Sequence, residues 1–144
     1  MLIKSRLFPQ KPSDIKIYDD FYKDVRNIDV ALYLINHVKS NRDNRDNPEI
    51  TYGELADRVG DELTARTIEP YLGNISEVCK ENDFPLLSAI VVNSVTRIPG
   101  DGFFEFFFGK CDLEFEINTY TKCRNAIIAF NRWKELEDVI RCRQ

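Results

Sequence analysis

Ile50-Thr51-Tyr52-Gly53-Glu54-Leu55-Ala56, then Thr64-Ala65-Arg66-Thr67-Ile68, then Phe84-Pro85-Leu86-Leu87-Ser88-Ala89-Ile90-Val91-Val92, is the stretch on which the fold turns. Thr51 and Glu54 have the spacing of a capping box, in which the hydroxyl and the carboxylate each satisfy a free backbone N–H, so a helix starts there. Leu55, Ala56 and Val59 make its inner face, and Gly60 is placed to end it. After a turn at Gly60-Asp61, the spacing of Leu63, Ile68, Tyr71, Leu72, Ile75, Val78 and Cys79 predicts a second helix over about 62–82. Pro70 cannot donate to a helical ladder, so it marks either a kink or the first turn of a new helix beginning near Glu69. Leu86 to Val92 has only Ser88 as a polar residue and reads as a buried strand, with Pro99-Gly100-Asp101-Gly102 as a tight wing after it.

Working outward, residues 1–13 hold Pro9 and Pro12 without any period and read as an arm. Apolar residues from Tyr18 to Val38 recur every three or four positions, which predicts one long helix over 14–40 or two with a break near Asn27 to Asp29. Ser13 or Asp14 would cap it. Asn41 to Pro48 is a polar connector whose Asn and Asp side chains favour turns, and it could present Arg42 and Arg45 to a partner. Phe103-Phe104-Glu105-Phe106-Phe107-Phe108 carries too many aromatics for one solvated face, so part of it packs on the core, a neighbouring chain or a ligand. Asp112 to Arg124 fits a strand or a helix, with helix preferred. Ala126 to Phe130 reads as a strand and Trp133 to Ile140 as a short closing helix. The whole is an α+β chain of one domain over 1–144, a winged-helix-like helix-turn-helix core at 50–103 with N- and C-terminal helices around a small sheet.

With 144 residues, 43% hydrophobic and 31% charged, the chain suits one globular domain with its own core. No apolar run approaches the roughly 20 residues of a membrane helix, and the start lacks a signal-peptide apolar region, so a cytoplasmic protein is expected. The four cysteines contain no C-x-x-C pair and there is one histidine, His37. Free, mostly buried thiols are therefore expected, with neither a metal site nor a Cys–His nucleophile, and no cofactor. Asp101, Glu105 and Lys110 only loosely resemble the acidic set of a metal nuclease. Non-catalytic function is the expectation.

Residues 50–103 resemble the DNA-binding winged-helix half of the alkylguanine-DNA alkyltransferases and of their non-enzymatic alkyltransferase-like relatives. Tyr52-Gly53-Glu54-Leu55-Ala56 matches that family's first helix and Ala65-Arg66-Thr67-Ile68 part of its recognition helix. Ser88-Ala89-Ile90-Val91-Val92 stands where the family has Cys-His-Arg-Val-Val. The resemblance implies that Arg66 corresponds to the arginine that replaces an extruded base, and that Ser88 holds the acceptor position. With Ser88, Ala89 and Ile90 in place of the acceptor, its His and the Arg, alkyl transfer is not expected. With the run from Ile50 to Phe103 and Ala129-Phe130-x-x-Trp133-x-x-Leu136, the whole chain also resembles a widespread group of small uncharacterised bacterial and phage-type proteins, which carries no mechanism with it.

Residues 51–110 hold five Lys/Arg against ten Asp/Glu, and the whole chain has a net charge of −4. Phosphate affinity comes largely from Lys and Arg, so DNA binding requires Arg58, Arg66, Lys80, Arg97 and Lys110 to gather on one face. Two partners are compatible with this balance: nucleic acid, or a nucleic-acid-binding protein engaged as an adaptor or inhibitor through Glu54, Asp57, Asp61, Glu62 and Glu69. Arg66 could instead be a surface residue paired with Glu62 or Glu69. Tyr52, Arg58, Arg66, Ser88 and Arg97 are the candidate contacts, and the clustered phenylalanines are compatible with a homodimer.

Overall fold

The helix that Thr51 starts is present with both halves of its box. Glu54 N donates to Thr51 Oγ1 at 3.1 Å and Thr51 N donates to Glu54 Oε1 at 3.0 Å. The Thr51 backbone N–H, and after it the Thr51 side chain, hold the Glu54 carboxyl below its ordinary range. Thr51→Ala removes the hydroxyl and is expected to lower the unfolding free energy by about 1 kcal/mol. A urea titration reads this as a lower midpoint at unchanged slope, and an unshifted midpoint would show that the cap is dispensable.

The computed structural model describes residues 14–41, 48–60 and 62–143. Along them run α1 (Asp19–Lys23), α2 (Val25–Asn41), β1 (Ile50–Thr51), α3 (Tyr52–Val59) and α4 (Glu69–Glu81). Next come a 3-10 turn (Leu87–Ile90), β2 (Val91–Val92), α5 (Asp101–Phe108), α6 (Leu113–Ala129) and α7 (Trp133–Cys142). The sheet is parallel, with Ile50 opposite Val91 and Thr51 opposite Val92. Parallel strands need a crossover, and here it carries α3 and α4. The architecture is α+β, mostly helical around this small sheet.

α2 is the central helix and packs against α1, α4 and α7. Its Val30, Ala31, Leu34, Ile35 and Val38 are buried at three- and four-residue spacing, in one core with Leu72, Ile75 and Val78 of α4 and Leu136 and Ile140 of α7. Burying each such side chain contributes about 1.5–3 kcal/mol. A smaller cluster of Val92, Phe104 and Tyr120 joins β2 to α5 and α6. No helix among the described residues is long and apolar enough to cross a membrane.

Several elements differ from the sequence expectation. The N-terminal run is two helices, but they break at Asp24 and not near Asn27 to Asp29. Asp24 is extended, and its carboxylate accepts from Arg26 N at 3.0 Å where α2 begins. Asp14 caps nothing, because α1 begins only at Asp19; it pairs with Arg132 at 2.9 Å. Residues 63–68 are not helical. Thr64 and Thr67 each accept the other's backbone N–H, at 3.2 and 2.8 Å, which is a local alternative to the helical ladder. The second helix starts at Glu69 with Pro70 in its first turn, where a missing N–H costs nothing. Arg66 therefore lies on a turn and not on a recognition helix.

Leu86 to Val92 is largely buried as expected, yet it is mostly the 3-10 turn, with only Val91–Val92 in the strand. A buried apolar run has no period to separate the two. Pro99-Gly100-Asp101-Gly102 is no wing: Gly100 is the N-cap of α5, and no strand comes after Val92 among the described residues. Asp112 to Arg124 is helical, the preferred reading, with Asp112 Oδ1 accepting from Phe115 N at 2.8 Å. Ala126 to Phe130 is not a strand. α6 continues through Ala129 because extending a formed helix across two alanines is easier than breaking it. The closing helix from Trp133 is present as α7. The arm at 1–13, the connector at 42–47 with Arg42 and Arg45, Asp61 and Gln144 lie outside the described residues.

Candidate functional site

Tyr52 opens α3, Arg66 lies on the turn before α4, and Ser88 lies on the 3-10 turn, yet all three line one cavity of about 470 Å³. α4 supplies another wall with Glu69, Pro70 and Leu72, and α5 supplies Phe103, Phe106 and Phe107. On a helix these three phenylalanines, spaced three and four apart, share one face, which turns the aromatic run into a wall.

Tyr52 is held by its phenol oxygen, which accepts from Gly100 N at 2.9 Å. Burial pushes its ionisation up, with Glu69 adding to the rise and the Gly100 bond partly offsetting it, so the phenol stays neutral. Gly102 matters here because a Cβ at that position would lie 3.2 Å from Glu69 Oε1. Bare backbone at the start of α5 thus lets the Glu69 carboxylate approach the cavity edge.

Ser88 is 4% exposed and tied to Ser76 by two bonds. Ser88 N donates to Ser76 Oγ at 2.9 Å, and Ser76 Oγ donates to Ser88 Oγ at 2.6 Å. The hydroxyl hydrogen of Ser88 has no acceptor among the described residues. A buried donor left open onto a cavity suits a ligand with a hydrogen-bond acceptor at its inner end. Asn74, also on the lining, is anchored to α2 through Asn27 Oδ1 at 2.9 Å, and its carbonyl accepts from Tyr18 at 3.3 Å.

Arg66 is exposed and has no ion-pair partner among the described residues. The alternative pairing with Glu62 or Glu69 is not what forms, since Glu62 meets Arg26 at 3.1 Å. The guanidinium is left at the cavity mouth. Arg58 and Arg97 do not join the site. Arg58 donates to Tyr33 at 3.0 Å, and Arg97, in the left-handed region with φ of 63°, contacts Glu49 at 3.4 Å. Asn74 is a lining residue that the sequence does not single out, whereas Glu69 was expected only on an acidic docking face and the phenylalanines as packing on the core, another chain or a ligand. The spacing of Phe103, Phe106 and Phe107 was the available signal, hidden by reading the preceding glycines as a wing.

Other reactive groups lie elsewhere. Cys79 is buried and its thiol is pushed up to about 12 by burial, whereas Cys111 and Cys123 are half-buried and Cys142 is exposed. The expectation of mostly buried thiols holds for Cys79 alone. His37 is placed by Pro48, 2.9 Å from its Nε2, and stacks on Tyr33. No group of three or more His, Cys, Asp or Glu among the described residues is arranged to hold a metal ion. Comparison with family models, curated proteins and solved structures returns no match.

Proposed function

We propose that this protein is a non-catalytic binding protein in nucleic-acid transactions, and that its cavity takes one unstacked base. The convergence of Tyr52, Arg66 and Ser88 on an aromatic-walled cavity carries this reading. A flat aromatic guest stacks on phenylalanine whatever its sequence context, at about 1–3 kcal/mol per base. Ser88 would donate to an acceptor on the base edge, and Arg66 at the mouth would meet the adjoining phosphate. The helix pair α3 and α4 is, in this reading, a helix-turn-helix related to the binding half of the alkyltransferases. It works without alkyl transfer and with Arg66 offered from the turn.

Charge limits the mode of binding. Of the cations expected to gather on one face, Arg97 contacts a carboxylate and Arg58 a phenol, and only Arg66 lines the cavity, so the site offers little charge to the backbone of a long duplex. Short single strands, or a duplex with one unpaired base, are the favoured ligands.

Fluorescence polarisation at low salt with a labelled single strand, and with a duplex carrying one extrahelical base, tests the reading. Micromolar binding that weakens with salt is expected. Phe106→Ala and Arg66→Ala should each cost at least about fivefold, by loss of stacking and of a charge-assisted contact, while Arg58→Ala should leave affinity unchanged. Absence of binding to either ligand at micromolar protein would remove nucleic acid as the partner.

A further inference from the structure

The opposite side of α5 carries a different chemistry. Helical geometry puts Asp101, Glu105 and Phe108 on one face of α5, away from the phenylalanines that line the cavity. Around the start of α6 the order is Phe115, then Asp112 and Glu116, then Leu113 and Ile117. The two helices meet here, because the Phe108 and Phe115 rings lie 6.3 Å apart. Carboxylates thus form a stripe with apolar residues on both sides.

Among the described residues these apolar side chains are only partly covered. Phe108 is 39% exposed, Leu113 63%, and Phe115 and Ile117 46% each. Four large apolar side chains in contiguous positions on one end of a domain mark an interaction surface more often than chance exposure. The carboxylates are equally unsatisfied by charge. Asp101, Glu105, Asp112 and Glu116 form no ion pair among the described residues. They also crowd one another: burial, then repulsion from Asp101, Asp112 and Glu105, raises the Glu116 ionisation, and the Cys111 thiol beside them is raised in the same way.

We propose that the outer surface of α5 and the first turns of α6 dock a segment of a partner protein in which Lys or Arg is flanked by bulky apolar side chains. Charge selects this occupant. Unpaired carboxylates repel nucleic-acid phosphate and anionic lipid, which removes both as ligands of this surface. A second copy of the chain, with its net charge of −4, would set the same carboxylates against each other across a two-fold contact. A cationic segment relieves the repulsion while its apolar side chains cover Phe115 on one side and Leu113 and Ile117 on the other. The surface is independent of the base-binding reading, since none of its residues lines the cavity.

The test uses the full chain and three labelled 18-residue helical peptides: one of Lys and Leu, one with Glu for Lys, and one with Ser for Leu. The Lys/Leu peptide should bind at least tenfold more tightly than either control. Ile117→Ser and Glu116→Lys should each lose at least tenfold with unchanged thermal melting, and Arg66→Ala should lose nothing. Equal binding of the Glu/Leu peptide, or indifference to both surface substitutions, overturns the proposal. A concentration-dependent dimer abolished by Ile117→Ser overturns it in favour of a second copy. A tenfold gain in peptide affinity on deleting residues 1–13 overturns it in favour of that basic and apolar stretch of the chain, with Lys4, Arg6 and Lys11.

Discussion

Trp133→Ala is expected to lower the unfolding free energy by about 3–5 kcal/mol, a large fraction of the stability of a domain this size. Trp133 is the largest buried side chain at the junction of α6 and α7 and the chain's one tryptophan. Its ring lies 4.7 Å from Phe130 and 6.2 Å from Phe84, near edge-on to both, and Phe84 and Phe130 lie 4.6 Å apart. Its Nε1 donates to Ile127 O at 3.1 Å, which ties the start of α7 to the end of α6. Alanine leaves a cavity beside these two rings and strips a buried carbonyl of its donor. Trp133→Phe keeps much of the volume and loses only the bond, so its stability should fall between those of the natural chain and Trp133→Ala. Thermal and urea unfolding followed by far-UV circular dichroism, which does not depend on the missing tryptophan, measures both. A loss below about 1 kcal/mol for Trp133→Ala, the size of an average point substitution, would show that this junction does not hold the fold.

The second large effect belongs to Glu137, a carboxylate buried between two cations. Lys39 Nζ lies 2.6 Å from Oε1 and Arg141 Nε lies 3.0 Å from Oε2. Only 8% of the Glu137 side chain is exposed, against 34% for Lys39 and 51% for Arg141. Removing the carboxylate therefore leaves cations that can still reach water, which keeps the cost of Glu137→Ala near about 2 kcal/mol and below that of stranding a buried charge. The pH dependence has a definite sign. The Lys39 bond, opposed by burial and aided by Arg141, holds the Glu137 carboxyl below its ordinary 4.5. Because the folded value lies below the unfolded one, the stabilisation is complete above pH 4.5 and is lost as pH falls through the folded value. Urea midpoints measured from neutral to acid pH should fall more steeply in the natural chain than in Glu137→Gln. Part of the slope should survive in Glu137→Gln, since Glu54 is shifted in the same direction. Parallel pH curves for the two proteins would refute the assignment.

Elements announced by local chemistry were legible in the sequence. Thr51 and Glu54 make their bonds within one turn and Pro70 admits few backbone states, so each is decided by near neighbours in the chain. Elements decided by burial alone were not. The run from Leu86 to Val92 and the run from Ala126 to Phe130 are apolar in every local frame. One became a 3-10 turn beside a two-residue strand and the other the end of a long helix, according to the residues packed on them. The break at Asp24 carries one side-chain bond and the turn at Thr64 to Ile68 a reciprocal pair, local alternatives to the helical ladder that apolar spacing does not reveal.

By itself, the sequence determined the start of α3, the stretches that reach the core and the acidic balance, and it offered Tyr52, Arg66 and Ser88 among its candidate contacts. Only the tertiary structure decided that these three face one cavity, that Arg58 and Arg97 are engaged elsewhere, and that the aromatic run is a helix dividing a pocket from an acidic apolar surface. The reason is one of range: a cap or a proline acts through bonds between near neighbours in the chain. A cavity is enclosed by residues far apart in sequence, such as Tyr52 and Ser88, whose meeting depends on the packing of every helix between them.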